Sequence, residues 1–310
     1  MSGSRSGASI ATVAAAAVLG LASACARHDH PGGDRWVPFA EIQGDLAPEL
    51  RNGAPPAAPP QGTLRVVTYN VHHGPELPAV ADAFRSVPAL AAADVVLLQE
   101  ADAPRGESPS LAGRLADALG MNDAYAPAWL HSDGAGHGLA VLSRFPITSA
   151  AVLDLPYFEL GSASERRIAL RVTLQIGDVE LAVIAIHLDT RINVNDRLDQ
   201  LDWAVERADA SGVLGGDFNT LPFVWIGRFL PDLPQDAVAP VDVPAAVDEY
   251  MVSRGFADPT AGSGDTTNDP VANFKLDSIY VRGHATGGSG VERGVTASDH
   301  FPVWADVVWP

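Results

Sequence analysis

The residues best suited to chemistry are polar side chains that lie where apolar runs begin or end. Ser298-Asp299-His300 places a carboxylate beside an imidazole just before the apolar run 303–308. Far upstream, an amide, a carboxylate and an Asp-Phe-Asn sequence end other apolar runs, at Asn70, Glu100 and Asp217-Phe218-Asn219. Together these residue types suit the metal-assisted hydrolysis of a phosphoester.

The candidate metal ligands are oxygen atoms. The carboxylates of Glu100 and Asp299 and the side-chain amide of Asn70 are the hard ligands that Mg²⁺ prefers, in a shell shared with water and a substrate phosphate. Zinc would favour more imidazole or a thiolate, and the only cysteine, Cys25, precedes the predicted folded domain. The sequence therefore predicts Mg²⁺ as the cofactor.

The remaining candidates suit proton transfer and hydrogen bonding to a phosphate. Asp217 is expected to orient and deprotonate the attacking water, with Asn219 fixing its geometry. His300 would donate hydrogen bonds to the phosphoryl oxygens. A neighbouring carboxylate such as Asp277 would hold the tautomer of His300 and raise its basicity.

Strands must bring these distant residues together. Runs rich in leucine and β-branched residues predict strands over 64–69, 95–98, 139–142, 168–176, 179–186, 213–215, 278–281 and 303–308. Helices are predicted over 80–93, over 110–119 with Ser110 as the N-cap, and over 195–208. The turn at 175–179 indicates an antiparallel hairpin, so the pairing is mixed. We expect sheets stacked in layers with covering helices, rather than one doubly wound parallel sheet.

The rim of such sheets is the expected site. His187 and Asp189 follow a predicted strand, and their side chains face the same way because strand side chains alternate. Taken singly, these residues have structural alternatives: Asn70 could cap a turn, Glu100 could be a solvated strand end, and Asp189 could bond loop amides. Taken together and in this order, they favour an active site.

The N-terminal region is predicted to be a targeting segment and not part of the fold. The uncharged run 8–24 suits a signal-peptide core, so residues 1–25 predict export. This run ends at Cys25, which resembles a lipoprotein processing site, and cleavage without lipidation is the alternative. Residues 26–62 are rich in Pro and Gly and predict a tether. The protein is thus expected to be a cell-envelope lipoprotein or a secreted or periplasmic protein, with a domain over 63–310.

The net charge of the chain limits which binding partners are expected. The net charge is -18, and Lys275 is the only lysine. A protein that grips duplex nucleic acid usually presents clusters of basic residues, so tight duplex binding is not expected. Contact with a membrane is expected only through a lipid on Cys25, and a monomer is expected.

Several segments, in this order along the chain, resemble motifs of the endonuclease/exonuclease/phosphatase superfamily. They are Thr68-Tyr-Asn-Val-His-His-Gly74, Asp94-Val-Val-Leu-Leu-Gln-Glu-Ala-Asp102, Leu139-Ala-Val-Leu-Ser-Arg-Phe-Pro-Ile147, Ile186-His-Leu-Asp189, Gly215-Gly-Asp-Phe-Asn-Thr-Leu-Pro222 and Ser298-Asp-His-Phe-Pro-Val303. The resemblance covers about residues 63–310 and is closest to exported bacterial members. It implies a four-layer α/β sandwich, in which two packed mixed β-sheets are flanked by helices, as in DNase I-like proteins.

The resemblance also implies roles for individual residues. It implies Mg²⁺ or Mn²⁺ held chiefly by Glu100, with Asn70 and Asp299 assisting. The remaining roles are water activation by Asp217, transition-state contacts from Asn219 and His187, an imidazole–carboxylate pair of His300 and Asp277, and a basic residue best matched by Arg167, with Arg166 as the alternative. His73 and His137 have no counterpart in the family pattern.

Two function classes follow. The first is an exported, metal-dependent phosphoester hydrolase, acting on a phosphodiester or related substrate whose identity the sequence does not specify. The alternative is a catalytically silent binding module on the same fold. The complete set of acidic and imidazole residues favours the hydrolase.

Overall fold

The computed structural model describes residues 47–55, 57–74, 76–157, 165–190, 192, 194–221, 242–269 and 273–310. The predicted signal peptide, with Cys25, and the first part of the predicted tether lie outside these ranges. Export, lipidation and the first part of the tether therefore stay predictions.

One mixed sheet of the described part has seven strands. They are β1 (Glu49–Arg51), β2 (Thr63–Asn70), β3 (Val95–Ala103), β4 (Asn122–Leu130), β5 (Gly136–Ser143), β11 (Thr286–Val291) and β12 (Val303–Val308). Their order across the sheet is β1-β4-β5-β3-β2-β12-β11. Strands β2 and β3 are parallel, and the other neighbouring pairs are antiparallel.

A second sheet has five strands. They are β6 (Ile147–Asp154), β7 (Ile168–Ile176), β8 (Val179–His187), β9 (Gly212–Asp217) and β10 (Asp277–Arg282), in the order β10-β9-β8-β7-β6. Strands β8 and β9 are parallel and the other pairs antiparallel. The antiparallel pairing of β7 with β8 confirms the predicted hairpin at 175–179.

Helices cover the outer face of each sheet. The described helices are α1 (Leu77–Ser86), α2 (Pro88–Ala91), α3 (Leu111–Leu119), α4 (Val194–Val205) and α5 (Val243–Ser253). Phe84 of α1 and Leu115 of α3 pack with Val67 of the first sheet. On the second sheet, Leu201 of α4 and Met251 of α5 pack with strand residues in the same way.

The main core lies between the two sheets. Leu97 of β3 and Val141 of β5 share one apolar cluster with Leu170 of β7 and Val183 of β8. Because strand side chains alternate, Val66 faces this core while Val67 faces the helices. The arrangement is helices, sheet, sheet, helices, which confirms the predicted four-layer sandwich.

Most predicted elements are present, and the differences have local causes. All eight predicted strands lie within observed strands, whereas β1, β4, β6 and β11 were not predicted. The predicted helix over 80–93 is wrong as a single element. It breaks at Val87, which is extended (φ -83, ψ 117) because Pro88 follows and disfavours helical geometry before it. The predicted N-cap is confirmed, since Ser110 Oγ accepts a hydrogen bond from the Gly113 amide at 3.1 Å.

The last part of the predicted tether packs onto the domain. Glu49–Arg51 pairs with β4, and the Arg51 guanidinium donates to Asp123 Oδ1 at 2.9 Å. Asn52 exchanges hydrogen bonds with the backbone of Ile147 at 2.8 and 2.9 Å. The folded body thus includes residues before Thr63. None of the described helices is long and apolar enough to cross a membrane.

Candidate active site

Strand ends from both sheets bring the predicted residues to one rim. Asn70 ends β2, and Glu100 lies near the end of the parallel strand β3. In the other sheet, His187, Asp217 and Asp277 stand side by side, because Asp217 is the register partner of both of the others. Side chains from opposite sheets meet here, as Asn70 Nδ2 donates to Asp217 Oδ2 at 3.2 Å.

Unusual backbone geometry concentrates at this rim. Among the described residues other than glycine, those with positive φ are His72, His73, Glu100 and Asn219. Each such residue costs on the order of 1–3 kcal/mol and persists only where surrounding contacts hold it. At Glu100 the pairing of β3 with β5 shifts register between Leu98 and Ala101. At Asn219 the backbone N–H donates to Asp217 Oδ1 at 2.8 Å.

A glycine allows the two parallel strands at the rim to approach closely. A Cβ on Gly216 would lie 1.9 Å from the carbonyl oxygen of Ile186, far inside van der Waals contact. Gly216 thus lets β9 pair with β8 directly before Asp217. The Gly215-Gly216-Asp217 sequence places the carboxylate at the rim for this steric reason.

The three predicted metal ligands lie around one position. Asn70 Nδ2 donates to Glu100 Oε1 at 3.1 Å. The imidazole of His72 links the two carboxylates, with Nδ1 at 3.1 Å from Asp299 Oδ2 and 3.9 Å from Glu100 Oε2. The Asn70 side-chain oxygen, by contrast, accepts from the backbone N–H of His72 at 3.1 Å. Carboxylates that converge within reach of one imidazole nitrogen can also share a cation, and carboxylate oxygens fit Mg²⁺.

Asp299 is held in its ionised form. Burial by itself would raise its pKa, but the hydrogen bond from His72 and the charge of His300 lower the pKa of Asp299 to about 2. An ionised carboxylate is the form that binds a metal ion. The electrostatics of this side chain are therefore compatible with the predicted role.

His300 and Asp277 form the predicted imidazole–carboxylate pair. His300 Nδ1 lies 2.8 Å from Asp277 Oδ2, and this oxygen also accepts the Thr266 hydroxyl at 2.6 Å. Burial lowers the pKa of His300, but Asp277 and then Asp217 outweigh it and raise the pKa well above its usual value. The imidazolium is thus the favoured form, with Nε2 directed at Asp217 Oδ2, 3.7 Å away.

Asp217 is a buried carboxylate between two imidazoles. Its Oδ2 lies 3.5 Å from His187 Nε2 as well as close to His300. Burial raises the pKa of Asp217 to about 7, against the attraction of His300, which lowers it. A carboxylate whose pKa is raised is a better acceptor for a proton from water.

His187 is kept neutral in one tautomer. The Arg167 guanidinium lies 3.3 Å from His187 Nδ1, and because arginine only donates, Nδ1 accepts and the proton is on Nε2. Burial and then the charge of Arg167 lower the pKa of His187 well below its usual value. Arg166 instead bonds Asp154 and the Ala128 carbonyl, so the geometry favours Arg167 as the basic residue of the site.

Further hydrogen bonds brace the loops beside the site. Asn219 Nδ2 donates to the Leu188 carbonyl at 2.8 Å. The buried guanidinium of Arg197 donates to the carbonyl oxygens of Asp189 and of Phe218. These contacts connect the ends of β8 and β9. Arg197 was not predicted, because its role depends on which carbonyls the fold brings to it.

Several histidines at the rim were not predicted as site residues. His72 contacts Asp299, while His73, His131 and His137 gather around Asp102, with one ligand atom from each of these four lying within 4.8 Å of the others. The adjacent pair His72-His73 was a visible signal. His137 was visible just before the predicted strand 139–142, but no role was predicted for it. His131 gave no signal, because β4 was not predicted and the turn between β4 and β5 was therefore not recognised.

Comparison with known proteins agrees with this geometry. A family profile, described as Endonuclease/Exonuclease/phosphatase family, matches residues 67–300. No curated protein sequence matches.

Solved structures share the fold at low sequence identity. An endonuclease/exonuclease/phosphatase from Beutenbergia cavernae is 24% identical, with a TM-score of 0.60 over 80% of this chain and 72% of that chain. A family protein from Leptotrichia buccalis is 17% identical, with a TM-score of 0.58 over 79% of this chain and 100% of that one. A mannosyl-6-phosphatase from Bacteroides thetaiotaomicron is 18% identical, with a TM-score of 0.55 over 79% of this chain and 100% of that one.

Members of this family are generally hydrolases, and they typically depend on a divalent metal ion. The profile match spans most of the described domain, including the segments around Asn70, Glu100, Asp217 and His300. The chain belongs to the endonuclease/exonuclease/phosphatase family.

Proposed function

We propose that the protein is an exported, Mg²⁺-dependent phosphoester hydrolase. The observation that carries this proposal is the convergence of chemically distinct groups at one rim. The buried carboxylate of Asp217 lies 3.7 Å from His300 Nε2 and is joined through the Asn70 amide to Glu100. A base, an imidazole and a carboxylate metal ligand grouped in this way suit attack of water on a phosphate.

Each residue has one task in this proposal. Asp217 orients the attacking water and accepts its proton. His300, held by Asp277, donates from Nε2 to a phosphoryl oxygen, and His187 donates from its own Nε2. Arg167 fixes the tautomer of His187, and Asn219 holds the loop that carries Asp217.

The metal would be held by Glu100 and Asp299 with the side-chain amide of Asn70. When bound, Mg²⁺ would neutralise phosphate charge and stabilise the charge that develops during displacement. Mn²⁺ would be accepted by the same oxygen set. The carboxylate oxygens of Glu100 and Asp299 are the reason that we prefer these ions to zinc at this position.

The substrate is proposed at the level of its class. The net charge of -18 opposes tight binding of duplex nucleic acid. One structural relative is a mannosyl-6-phosphatase, so phosphomonoesters belong in the range to be tested beside phosphodiesters. We further propose that the chain acts as a monomer. We also propose that it acts outside the cytoplasm, exported by a signal in residues 1–25.

The test is hydrolysis of chromogenic phosphomonoesters and phosphodiesters with Mg²⁺ and with EDTA. We expect turnover that EDTA abolishes. The variants Glu100→Gln and His300→Ala should lose on the order of 100-fold or more in kcat/KM. Glu107→Gln is the matched control, because Glu107 is an exposed carboxylate that bonds only Arg114 among its described contacts.

A substrate panel would then narrow the class. It would contain single-stranded and duplex DNA, RNA, sphingomyelin, phosphoinositides and sugar phosphates, with duplex DNA expected to be poor. If no member of either panel shows metal-dependent turnover, the hydrolase proposal fails. The alternative, a catalytically silent binding module, would then be the better account.

A further inference from the structure

A second group of metal-ligand side chains lies beside the proposed active site. His73, His131 and His137 surround Asp102, and one ligand atom from each lies within 4.8 Å of all the others. We call these four residues the imidazole cluster. None of them was assigned a role in the proposed hydrolysis.

The sheet itself assembles the cluster. Strands β4, β5, β3 and β2 are consecutive neighbours, and each supplies one member from its end or from the turn that follows it. Asp102 of β3 and His137 of β5 are direct register partners. His131 follows β4, and His73 follows β2 in a backbone conformation with φ 63. Convergence of four separate chain segments is unlike a surface run of polar residues.

The separations suit a tetrahedral ion. His137 Nδ1, His73 Nδ1 and His131 Nε2 lie 3.0, 3.3 and 3.8 Å from carboxylate oxygens of Asp102. Metal–ligand bonds of about 2.0–2.1 Å in a tetrahedron place neighbouring ligand atoms about 3.3 Å apart. The three distances to Asp102 are therefore close to those of a tetrahedral site, and the remaining ligand-atom separations are no more than 4.8 Å.

An aromatic side chain borders the cluster. The ring of Trp129 packs 4.5 Å from that of His131 and 4.8 Å from that of His137, which gives the cluster an apolar wall.

One contact connects the cluster to the proposed active site. His73 Nε2 lies 3.4 Å from Glu100 Oε2, while Nδ1 of the same ring faces Asp102. Metal-binding histidines commonly donate their second N–H to a carboxylate, which fixes the orientation of the ring. Glu100 would play that part here. The two sites remain chemically different, since one offers oxygen atoms and the other chiefly nitrogen.

We propose that His73, Asp102, His131 and His137 form a second metal site, for Zn²⁺ or a similarly borderline divalent ion. Three imidazoles and one carboxylate suit such an ion better than Mg²⁺. With four protein ligands the tetrahedron is complete, so the ion is structural. It ties the turn after β2 and the β4–β5 turn to the end of β3, and so steadies the side of the rim that carries Glu100.

The test is zinc binding to the full protein after removal of metals with EDTA. Zn²⁺ is titrated against a chromophoric chelator in excess Mg²⁺, which occupies the oxygen site. We expect one tight equivalent, a rise in the thermal midpoint, and the visible spectrum of tetrahedral Co²⁺ when cobalt replaces zinc. His131→Ala and His137→Ala should each weaken zinc binding at least about 10-fold, since each removes one ligand.

Two controls separate this site from others. His284→Ala should keep the tight equivalent, because His284 contacts Ser211 and Trp309 instead of the cluster. Asp299→Asn should also keep it, because Asp299 belongs to the proposed Mg²⁺ site alone. Because Asp299→Asn alters the proposed Mg²⁺ site and not the imidazole cluster, zinc binding and hydrolysis can fail independently of each other.

The results that would overturn the proposal are specific. No zinc equivalent in the wild type under excess Mg²⁺ would do so, as would unchanged affinity in both His131→Ala and His137→Ala. If these variants do not fold, X-ray absorption of the wild-type zinc complex decides the matter. A shell of three imidazoles and one oxygen supports the site, and a shell without imidazole refutes it.

Discussion

Replacement of Asp277 by asparagine tests the proposed task of the His300–Asp277 pair. Asp277 is fully buried, and its Oδ2 accepts from His300 Nδ1 at 2.8 Å and from the Thr266 hydroxyl at 2.6 Å. Asparagine keeps the size of the side chain and removes its charge. The variant therefore alters the support of the imidazolium with little change in packing.

The expected loss follows from the hydrogen bond. If asparagine keeps a neutral hydrogen bond to His300 Nδ1, the variant loses about 1 kcal/mol of transition-state stabilisation. If this hydrogen bond is broken, the loss of transition-state stabilisation is up to about 3 kcal/mol. Since about 1.4 kcal/mol is tenfold in rate, kcat/KM should fall about 5- to 150-fold. The assay is the pH dependence of kcat/KM on the best substrate of the panel, with Mg²⁺ present.

The pH profile of the Asp277→Asn variant should shift in one direction. Asp277 raises the pKa of His300 above its unfolded value, and the proposed reaction uses the protonated ring. Removing the charge lowers that pKa, so the alkaline limb of the profile should move to lower pH. In the wild type, the stabilisation of folding by this contact is fully present below about pH 6.5 and is lost as the pH rises through the folded pKa.

A matched control is Asp248→Asn. Asp248 accepts a hydrogen bond from Tyr280, which lies on the same strand as Asp277. The Asp248→Asn variant should leave the pH dependence of kcat/KM unchanged. If kcat/KM of Asp277→Asn falls less than threefold and its alkaline limb does not move, the assignment of His300 as a charged donor supported by Asp277 is wrong.

Two further predictions concern the stability of the fold. Gly216→Ala should lower the free energy of unfolding by on the order of 3 kcal/mol, because the new Cβ would lie 1.9 Å from the Ile186 carbonyl oxygen. Gly53→Ala has open space around its Cβ and is the control in the same urea titration, where equal losses would contradict the steric argument. Ser110→Ala should cost about 1 kcal/mol, because it removes the cap on the Gly113 amide. An unchanged urea midpoint would show that this cap does not stabilise the helix.

Local patterns explain the parts of the fold that were predictable. Runs such as 179–186 are apolar and β-branched, so they predict strands wherever they pack, and β8 covers that range. By contrast β11, Thr286–Val291, contains several glycines, and β4 includes Pro127, so neither has a strand-like composition. These strands form because neighbouring strands provide pairing partners, and pairing is not a local property of the sequence.

The candidate site divides in the same way. Asn70, Glu100, Asp217 and Asp277 were predictable because each interrupts or adjoins an apolar run, which places it at a sheet rim. Their convergence is now a structural fact, while their roles stay proposals. His131 was not predictable as part of any site, because its position depends on a strand and a turn that the sequence does not signal.

The sequence alone determined which residue types stand at strand ends, and therefore which chemistry was available. Only the tertiary structure decided how those residues act on each other. Burial raises the pKa of Asp217 to about 7, and the pairing of β3 with β5 sets Asp102 beside His137. Both effects arise from residues far apart in the chain, because desolvation and sheet register depend on what packs against a side chain and not on its sequence neighbours.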